Sequence, residues 1–517
     1  MINFLIKQAI FSFVTTANSL QQAFVSSESL YKFLLIPHAE KARWKIGAWR
    51  AWHNAEHAYH TVPAYKKFIK VHAKRWPTIR VRKGLPDLSV IPEMDKESYV
   101  KKYHTEERCV GGVIPSRGVV VDESSGSSGT PTSWVRGPEE RSVSKQLLQL
   151  SYHSALGHEK FFVINAFALG AWATGLNVSM AMSEICIIKS TGPDLDKIVH
   201  TIATFGPHYR YIIMGYPPFL KTLADDARLP WNKLQVIAFY GGEGMSESMR
   251  EYLLHSYQEV RGSYGASDLE INMAAENEFT IAVRRLILKY PELRERLTRV
   301  EYGVTPMIFQ YNPLSYYVET NDKGELVFTM TRVTNIAPKI RYNIHDRGHV
   351  LRYPALKKVL KELKLWQELR NVEPKLELPF LFHYGRSDMS IDYYGANVTP
   401  DSVREVLYGI RDVAKRLESF RLISIEDKKH NKRMEIAIEL NKGCAAKELD
   451  AAKVAEQLLP RLAEMNRDFY NALYHTATAD QWPEITIHEY ATGPFLGGDR
   501  KLKKEYVTTA LKYDNLN

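Results

Sequence analysis

Residues 185–242, ICIIKSTGPDLDKIVHTIATFGPHYRYIIMGYPPFLKTLADDARLPWNKLQVIAFYGG, alternate short apolar runs with longer amphipathic stretches. The runs Ile185–Ile188, Tyr211–Met214 and Leu234–Tyr240 have strand length and are rich in β-branched and aromatic residues. Between them, DLDKIVHTIATF and the segment after Pro217–Pro218 carry helical spacing. Strands separated by helices read as βαβ units, and such units build a parallel sheet. The third run ends in Gly241–Gly242 and leads to SESMREYLLHSYQE, a helix that Ser246 can cap. Met249, Leu253 and Tyr257 recur along it at helical spacing. Ligands of such sheets bind where strands end, so the glycine-rich turns after these strands are where chemistry belongs.

Upstream, residues 36–105 are expected to be helical, and an apolar run at Val119–Val121 precedes a helix with Leu147 and Leu150. Downstream come a short strand and turn, RGSYGASD, then mixed β structure around GELVFTMT. Residues 354–380 read as a helix plus a Pro-bounded connector. Thr399-Pro400-Asp401 is a helix start, with Pro in the first position and an acid in the first turn. FRLISIE and MEIAIEL flank the polar turn KKHNKR as a hairpin, its second strand alternating Met434, Ile436, Ile438 and Leu440. A helical stretch over 445–475 and a strand at ITIHEY complete this region. The expected fold is α/β. A large N-terminal domain (1–384) of wound mixed and parallel sheets with helices contains a helical lead-in at 35–105. A hinge at 385–388 joins it to a small mobile C-terminal α+β domain at 389–517.

At 517 residues, 45% hydrophobic and 25% charged, the chain can bury a large core in two or three domains. The net charge of +10 concentrates anions near the surface. Its Lys and Arg are spread along the chain without a nucleic-acid-binding motif, so no nucleic-acid partner is expected. Cys109, Cys186 and Cys444 are far apart, which disfavours a disulfide framework or a cysteine metal cluster and suits a reducing, cytoplasmic setting. The start, MINFLIKQAIFSFVTTANSLQQAF, has no basic region before its apolar stretch, and Lys7 and Gln8 interrupt it. It reads as an amphipathic lead-in suited to a partner or membrane-surface contact. No apolar run reaches the roughly 18–20 residues of a membrane span, so no transmembrane segment is expected. Oligomeric state is not legible.

The densest local signal is Glu123-Ser124-Ser125-Gly126-Ser127-Ser128-Gly129-Thr130-Pro131-Thr132. Glycines and small hydroxyl residues let a loop wrap phosphate oxygens with backbone N–H and hydroxyl donors. No Lys follows the second Gly, so it is not a P-loop of the GxxxxGK[ST] kind. The composition also suits a flexible linker, but the segment lies between a strand-like run and a helix.

SSGSSGTPT resembles the phosphate loop of the acyl-adenylate-forming superfamily, and further matches follow in that family's order. GGEGMSESMR resembles the loop lining the adenine and acyl pocket, which implies roles for Gly241, Gly242 and Glu243. Tyr264-Gly265-Ala266-Ser267-Asp268 resembles the motif whose aromatic ring packs on adenine and whose acid holds magnesium. Asp268 replaces the family's usual Glu, and Glu270 is the alternative ligand. Arg341-Tyr342-Asn343-Ile344-His345-Asp346 resembles the segment whose Asp grips the ribose hydroxyls. Gly385-Arg386-Ser387-Asp388 resembles the hinge, with Arg386 near ATP and Asp388 as pivot, and Gly395 opens the loop that builds the thiol channel. Arg500-Lys501-Leu502-Lys503-Lys504 stands where the catalytic lysine belongs; Lys501 ranks first, with Lys503 and Lys504 as rivals. HNAEHAYHTVPAYKKFI and LSVIPEMDKESYVKKY resemble the start of the phenylacetate–CoA ligase branch, which includes capsule-synthesis relatives.

The resemblance implies a magnesium- and ATP-dependent ligase. It would form an acyl-adenylate and pyrophosphate, then pass the acyl group to a thiol, with coenzyme A favoured and an aryl or arylacetic acid as substrate. Phe167, Trp172, Tyr240 and Gly241 are candidates for the acyl pocket, although each aromatic taken singly fits ordinary core packing. Transfer to a carrier-protein thiol or an amine is the first alternative, and a non-catalytic nucleotide-binding protein is the second. His345 and His349 lack an evident third partner for a metal site.

Overall fold

The computed structural model describes residues 39–496 and 507–509, apart from breaks at 125–131, 158, 171–172, 243, 303, 375, 387–390, 394–395, 427–431, 467–468, 471 and 478. The first helices are α1 (Glu40–Thr61) and α2 (Pro63–Ala73), and Pro63 pre-sets the first turn of α2. α1 buries Ala48, Ala51, Trp52, Ala55 and Ala58. β1 (Val120–Ser124) and β2 (Thr132–Arg136) pair antiparallel, with Ser124 opposite Thr132, and α3 (Pro138–Leu156) follows.

The central stretch then alternates as its sequence predicts. β3 (Phe161–Asn165), α4 (Ala173–Met182), β4 (Ile187–Ser190), α5 (Leu195–Phe205), β5 (Arg210–Gly215), α6 (Pro217–Ala224), β6 (Gln235–Tyr240), α7 (Glu247–Leu253) and β7 (Glu259–Tyr264) succeed one another. Asp194 caps α5 by accepting from Lys197 N at 3.0 Å, and Ser246 caps α7 by accepting from Met249 N at 3.0 Å. Each such cap contributes about 1 kcal/mol. β4 starts later than the apolar run because the backbone N–H groups of Ile185 and Cys186 still bond the Met182 carbonyl as the end of α4.

β8 (Ala274–Ala275), α8 (Glu278–Lys289), α9 (Pro291–Leu297), β9 (Met307–Tyr311), β10 (Tyr316–Thr320), β11 (Glu325–Met330), β12 (Tyr342–Leu351), α10 (Tyr353–Glu362) and β13 (Phe380–Arg386) complete the larger part. One 11-stranded sheet runs β10-β11-β12-β13-β9-β8-β7-β6-β5-β3-β4. Its β7-to-β4 end is parallel and its β7-to-β10 end antiparallel. The connector after β12 is a helix and a 3-10 turn, and Trp366 packs edge-on against Phe279 of α8 with centroids 6.0 Å apart.

β14 (Ile391–Tyr393), β15 (Ala396–Val398), α11 (Pro400–Gly409), β16 (Leu417–Glu426), β17 (Lys432–Leu440), α12 (Ala451–Met465), β18 (Glu484–His488) and β19 (Val507–Thr509) follow. Four of these strands form a separate sheet, β18-β17-β16-β19, with a core of its own that includes Val403, Leu407, Phe420, Ile436 and Leu458. The alternating Met434, Ile436, Ile438 and Leu440 are all buried. The helical stretch expected over 445–475 divides into a 3-10 turn, α12 and a π-turn, and the Asp450 carboxylate caps α12. Among the described residues, no helix is long and apolar enough to cross a membrane.

Candidate active site

The parallel strands end together. The register pairs Asn165 with Met214, Gly215 with Tyr240 and Tyr240 with Gly262, so the turns after β3, β5, β6 and β7 lie side by side. Tyr264 closes β7 with its ring against Phe309, Phe328 and His383, at centroid distances of 5.7, 5.9 and 5.2 Å. Its hydroxyl donates to Asp346 Oδ2 at 2.7 Å. Asp346 is buried on β12, opposite Arg386 of β13. His383 Nε2 lies 3.3 Å from the same Asp346 oxygen, within ion-pair reach but off hydrogen-bond alignment. A tyrosine, a carboxylate and an imidazole from three strands thus converge at one edge of the strand ends. His345, next to Asp346, adopts φ 62° and faces Asp95 and Glu325, each at 3.3 Å.

The turn after Tyr264 is tight: a Cβ at Gly265 would lie 2.6 Å from the Glu270 carbonyl oxygen. Its two acids have different surroundings. Asp268 is half-buried and accepts from the Tyr342 hydroxyl at 2.8 Å. Glu270 is buried, ion-paired to Arg332 Nη2 and bonded by the Tyr316 hydroxyl. Arg136, the last residue of β2, donates Nη2 to the Ser267 carbonyl and pairs with Asp122 and Glu140. That guanidinium ties the β1–β2 hairpin, at its end away from Ser124 and Thr132, to the turn carrying Asp268. Lys339 is buried beside them, its ammonium 4.9 Å from the Trp134 ring centroid. Burial first, then Arg136 and Arg108, brings its pKa down to about 7.

A second face of the same strand ends is apolar. Alternation along β6 sends Ile237 and Phe239 toward Phe161, Met214 and Phe167, and Val236, Ala238 and Tyr240 to the opposite core. The Phe167 ring meets Tyr216 edge-on at 5.2 Å. A Cβ at Gly241 would meet Ser263 Oγ at 3.2 Å and Phe167 Cζ at 3.8 Å. Gly242, at φ 80°, would bring a Cβ within 2.7 Å of the Tyr216 ring. The structure therefore brings Phe167 and Gly241 together and turns the Tyr240 side chain to the opposite core. The Tyr240 hydroxyl donates to Glu276 Oε2 at 3.0 Å and accepts from Arg250 Nη2 at 3.1 Å, inside a buried network with Glu247 and Arg284.

Ser125, Gly126, Ser127, Ser128, Gly129, Thr130, Trp172, Glu243, Asp388, Gly395, Lys501, Lys503 and Lys504 lie outside the described residues. Ser124 and Arg386 are placed by their backbones, in β1 and β13. Sequence reasoning missed His383, Arg136, Tyr216 and Ser263. A lone polar residue in the apolar run FLFHYGR and the Arg136/Glu140 spacing were the available signals for the first two. Tyr216 and Ser263 carry no motif of their own. Among the described residues, no group of three or more His, Cys, Asp or Glu has the geometry to hold a metal by itself.

No family model and no curated protein matches the sequence. Solved structures do match. 2-Hydroxyisobutyryl-CoA ligase in the postadenylation state, in complex with 2-HIB-AMP, aligns at TM-score 0.65 and 14% identity over 93% of this chain and 92% of that one. The same ligase in an open conformation with 2-HIB-AMP and CoA aligns at 0.52, with 13% identity over 92% of both chains. In its thioesterification state it aligns at 0.51, with 14% identity over 92% and 91%. Coverage barely changes among the three, and at this level of identity they show a shared fold.

Proposed function

We propose that this chain, which has the fold of the acyl-adenylate-forming ligases, activates a carboxylic acid with ATP. The products of the first step are an acyl-adenylate and pyrophosphate, and the acyl group then passes to a thiol, with coenzyme A as the favoured acceptor. The observation that carries the reading is the convergence of Tyr264, Asp346 and His383 at the strand ends, with Arg136 joining the β1–β2 hairpin to the Asp268 turn.

In this reading the nucleoside lies against Tyr264, and Asp346 accepts hydrogen bonds from the ribose hydroxyls. Charge-assisted bonds of this kind are worth about 1.5–3 kcal/mol. The 124–130 loop would wrap the phosphates, and Arg136 braces the far end of the hairpin that carries it. The residues fit a magnesium ion that shares its coordination between one carboxylate and the substrate phosphates. Asp268 would hold it, since Glu270 is already committed to Arg332 and Tyr316. Magnesium supplies neutralisation of the phosphate charge as the carboxylate attacks the α-phosphorus. Lys501 is the proposed cation over the reacting oxygens, Asp388 the proposed pivot, and Gly395 part of the proposed thiol channel. Phe167, Phe239, Tyr216, Gly241 and Ser263 would surround the acyl group, with an aryl or arylacetic acid favoured.

Incubation with ATP, magnesium, coenzyme A and a panel of aryl, fatty and hydroxy acids, followed by mass spectrometry, tests the reading. The expected products are AMP and one class of acyl-CoA. Acyl-adenylate that is captured by an added amine but not by coenzyme A would move the acceptor to an amine. Nucleotide binding without an acyl product from any acid would reject the ligase reading.

A further inference from the structure

Lys and Arg recur throughout the chain, but acids do not. No Asp or Glu stands between Glu56 and Asp87, while eight Lys and Arg fall there, from Lys66 to Lys83. The other 61 Lys and Arg nearly match the 59 acids, so most of the net charge of +10 belongs to this one stretch. All eight residues are exposed. α2 buries Ala64, Tyr65, Phe68 and Ile69, and helical spacing puts Lys66, Lys67, Lys70 and Lys74 on its opposite side. The chain then returns along α1. The Trp76 ring packs on Trp52 and Tyr59, with centroids at 5.7 and 5.1 Å. A short ribbon pairs Val81 with Pro86 and Arg82 with Leu85, which puts Lys83 and Gly84 at its tip. Trp49 Nε1 donates to the Gly84 carbonyl at 3.2 Å, and a Cβ at Gly84 would lie 3.4 Å from Lys45 Nζ. The cationic strip thus follows α1 from Tyr59 back to Lys45, a length of about 20 Å.

The elements around the strip leave its charge standing. Lys67 pairs with Glu107 at 2.5 Å and Arg82 with Asp87 at 3.5 Å. Among the described residues, no acid lies within ion-pair distance of the other six. The segment 95–108, which packs on α2 through Tyr99 against Phe68, carries four acids and four Lys or Arg. α1 carries two acids and four Lys or Arg. The same face also exposes apolar groups. Val71, Val113 and Val81 are the three most exposed large apolar side chains among the described residues, at 72, 60 and 53%. Val71 is on α2 and Val81 on the ribbon. Val113 follows Gly112, whose Cβ would lie 3.1 Å from Pro63 at the start of α2. Tyr65, Phe68 and Trp76 are instead packed against neighbouring rings, not presented for bases to stack on. Residues 1–38 join α1 at the end where the ribbon tip lies. In their sequence Ile2, Ile6, Ile10, Phe13, Ala17 and Leu20 recur at three-four spacing, and Lys7 is the single charge before Glu28.

We propose that this face seats the protein on an anionic lipid surface. The Lys and Arg of α2 and the ribbon meet headgroup phosphates, and Val71, Val81 and Val113 enter the headgroup boundary, with the apolar positions of the 1–38 segment beside them. A cationic face and an apolar segment are two weak signals that together hold a peripheral protein on a membrane. A nucleic acid would satisfy the cations but give the exposed valines no partner. The contact does not depend on the proposed reaction.

The test is flotation of the full chain with vesicles of phosphatidylcholine alone or of equal parts phosphatidylcholine and phosphatidylglycerol. Binding to the mixed vesicles should be about 10-fold tighter or more, and should weaken as salt rises. Lys66→Gln, Lys70→Gln, Lys74→Gln and Arg75→Gln together should lower it by about 10-fold or more. The same substitution at Lys415, Lys442, Lys447 and Lys453, exposed cations of the smaller sheet's region, should leave it within about twofold. Val71→Ser with Val81→Ser should weaken vesicle binding by about 5-fold. If the fourfold variant does not fold, lysine acetylation of the unmodified chain gives the second readout: mixed vesicles should shield Lys70 and Lys74 and leave Lys442 reactive. Equal binding to both vesicles, equal losses in the two fourfold variants, or no shielding of Lys70 and Lys74 would overturn the proposal. Tighter binding to a mixed-sequence RNA than to the mixed vesicles, unchanged by the two valine substitutions, would overturn it in favour of a nucleic acid.

Discussion

Asp268 and Glu270 stand on the same turn, yet their surroundings assign them different work. Glu270 is sealed against Arg332 and Tyr316, so Glu270→Gln leaves a buried guanidinium unbalanced and should cost about 3–5 kcal/mol in denaturant unfolding. Asp268 is half-buried with one tyrosine hydroxyl on it. Asp268→Asn should leave unfolding within about 1 kcal/mol of the parent and lower magnesium-dependent turnover by about 100-fold or more. The reverse pattern would exchange the two roles. Asp346→Asn keeps the shape beside Tyr264 but removes the charge, so ATP affinity by calorimetry should fall by about 10-fold or more. The pairing of Tyr264 with Asp346 was within reach of the sequence because each sits in a recognisable motif. The turning of Tyr240 away from Phe167 was not. After Gln235 the run QVIAFY has no charged or strongly polar residue, and a strand buried on both faces hides which alternate residues share a side.

Between elements, α11 docks on α7 and α9 packs near α12. Ser248 Oγ donates to Glu405 Oε1 at 3.0 Å, and Arg294 Nη2 donates to the Met465 carbonyl at 2.7 Å. Burial raises the Glu405 carboxyl above the ordinary carboxylate value, with Arg284 and Ser248 opposing it. If α11 undocks, Glu405 regains water and its ordinary pKa, so the docked state binds more protons between the two values. Docking should therefore be strongest below the ordinary carboxylate range and weaken as pH rises through the raised value. Label-to-label distances between α5 and α12 should show a growing open fraction with pH, and Glu405→Gln should flatten that dependence. A distance distribution unchanged across the titration would contradict it. Element identity in the central stretch was legible because strand and helix periods alternate there with clear caps. The division of 445–475 was not, because an amphipathic pattern does not mark where α-helical bonding gives way to tighter or wider turns.

At the scale of the whole molecule, one large sheet changes from parallel to antiparallel at β7, and the candidate site lies at that change. A second sheet with a separate core follows the segment resembling a hinge. The account's central claim is that these strand ends join an acid to AMP. It is tested most directly by acid-dependent exchange of labelled pyrophosphate into ATP, which reads the first step alone and needs no acceptor. The account predicts exchange with one class of acid, dependent on magnesium, reduced by about 100-fold in Asp268→Asn and in Lys501→Ala, and retained in Ser263→Ala with an altered acid preference. No exchange with any acid by a folded chain that binds ATP would contradict it.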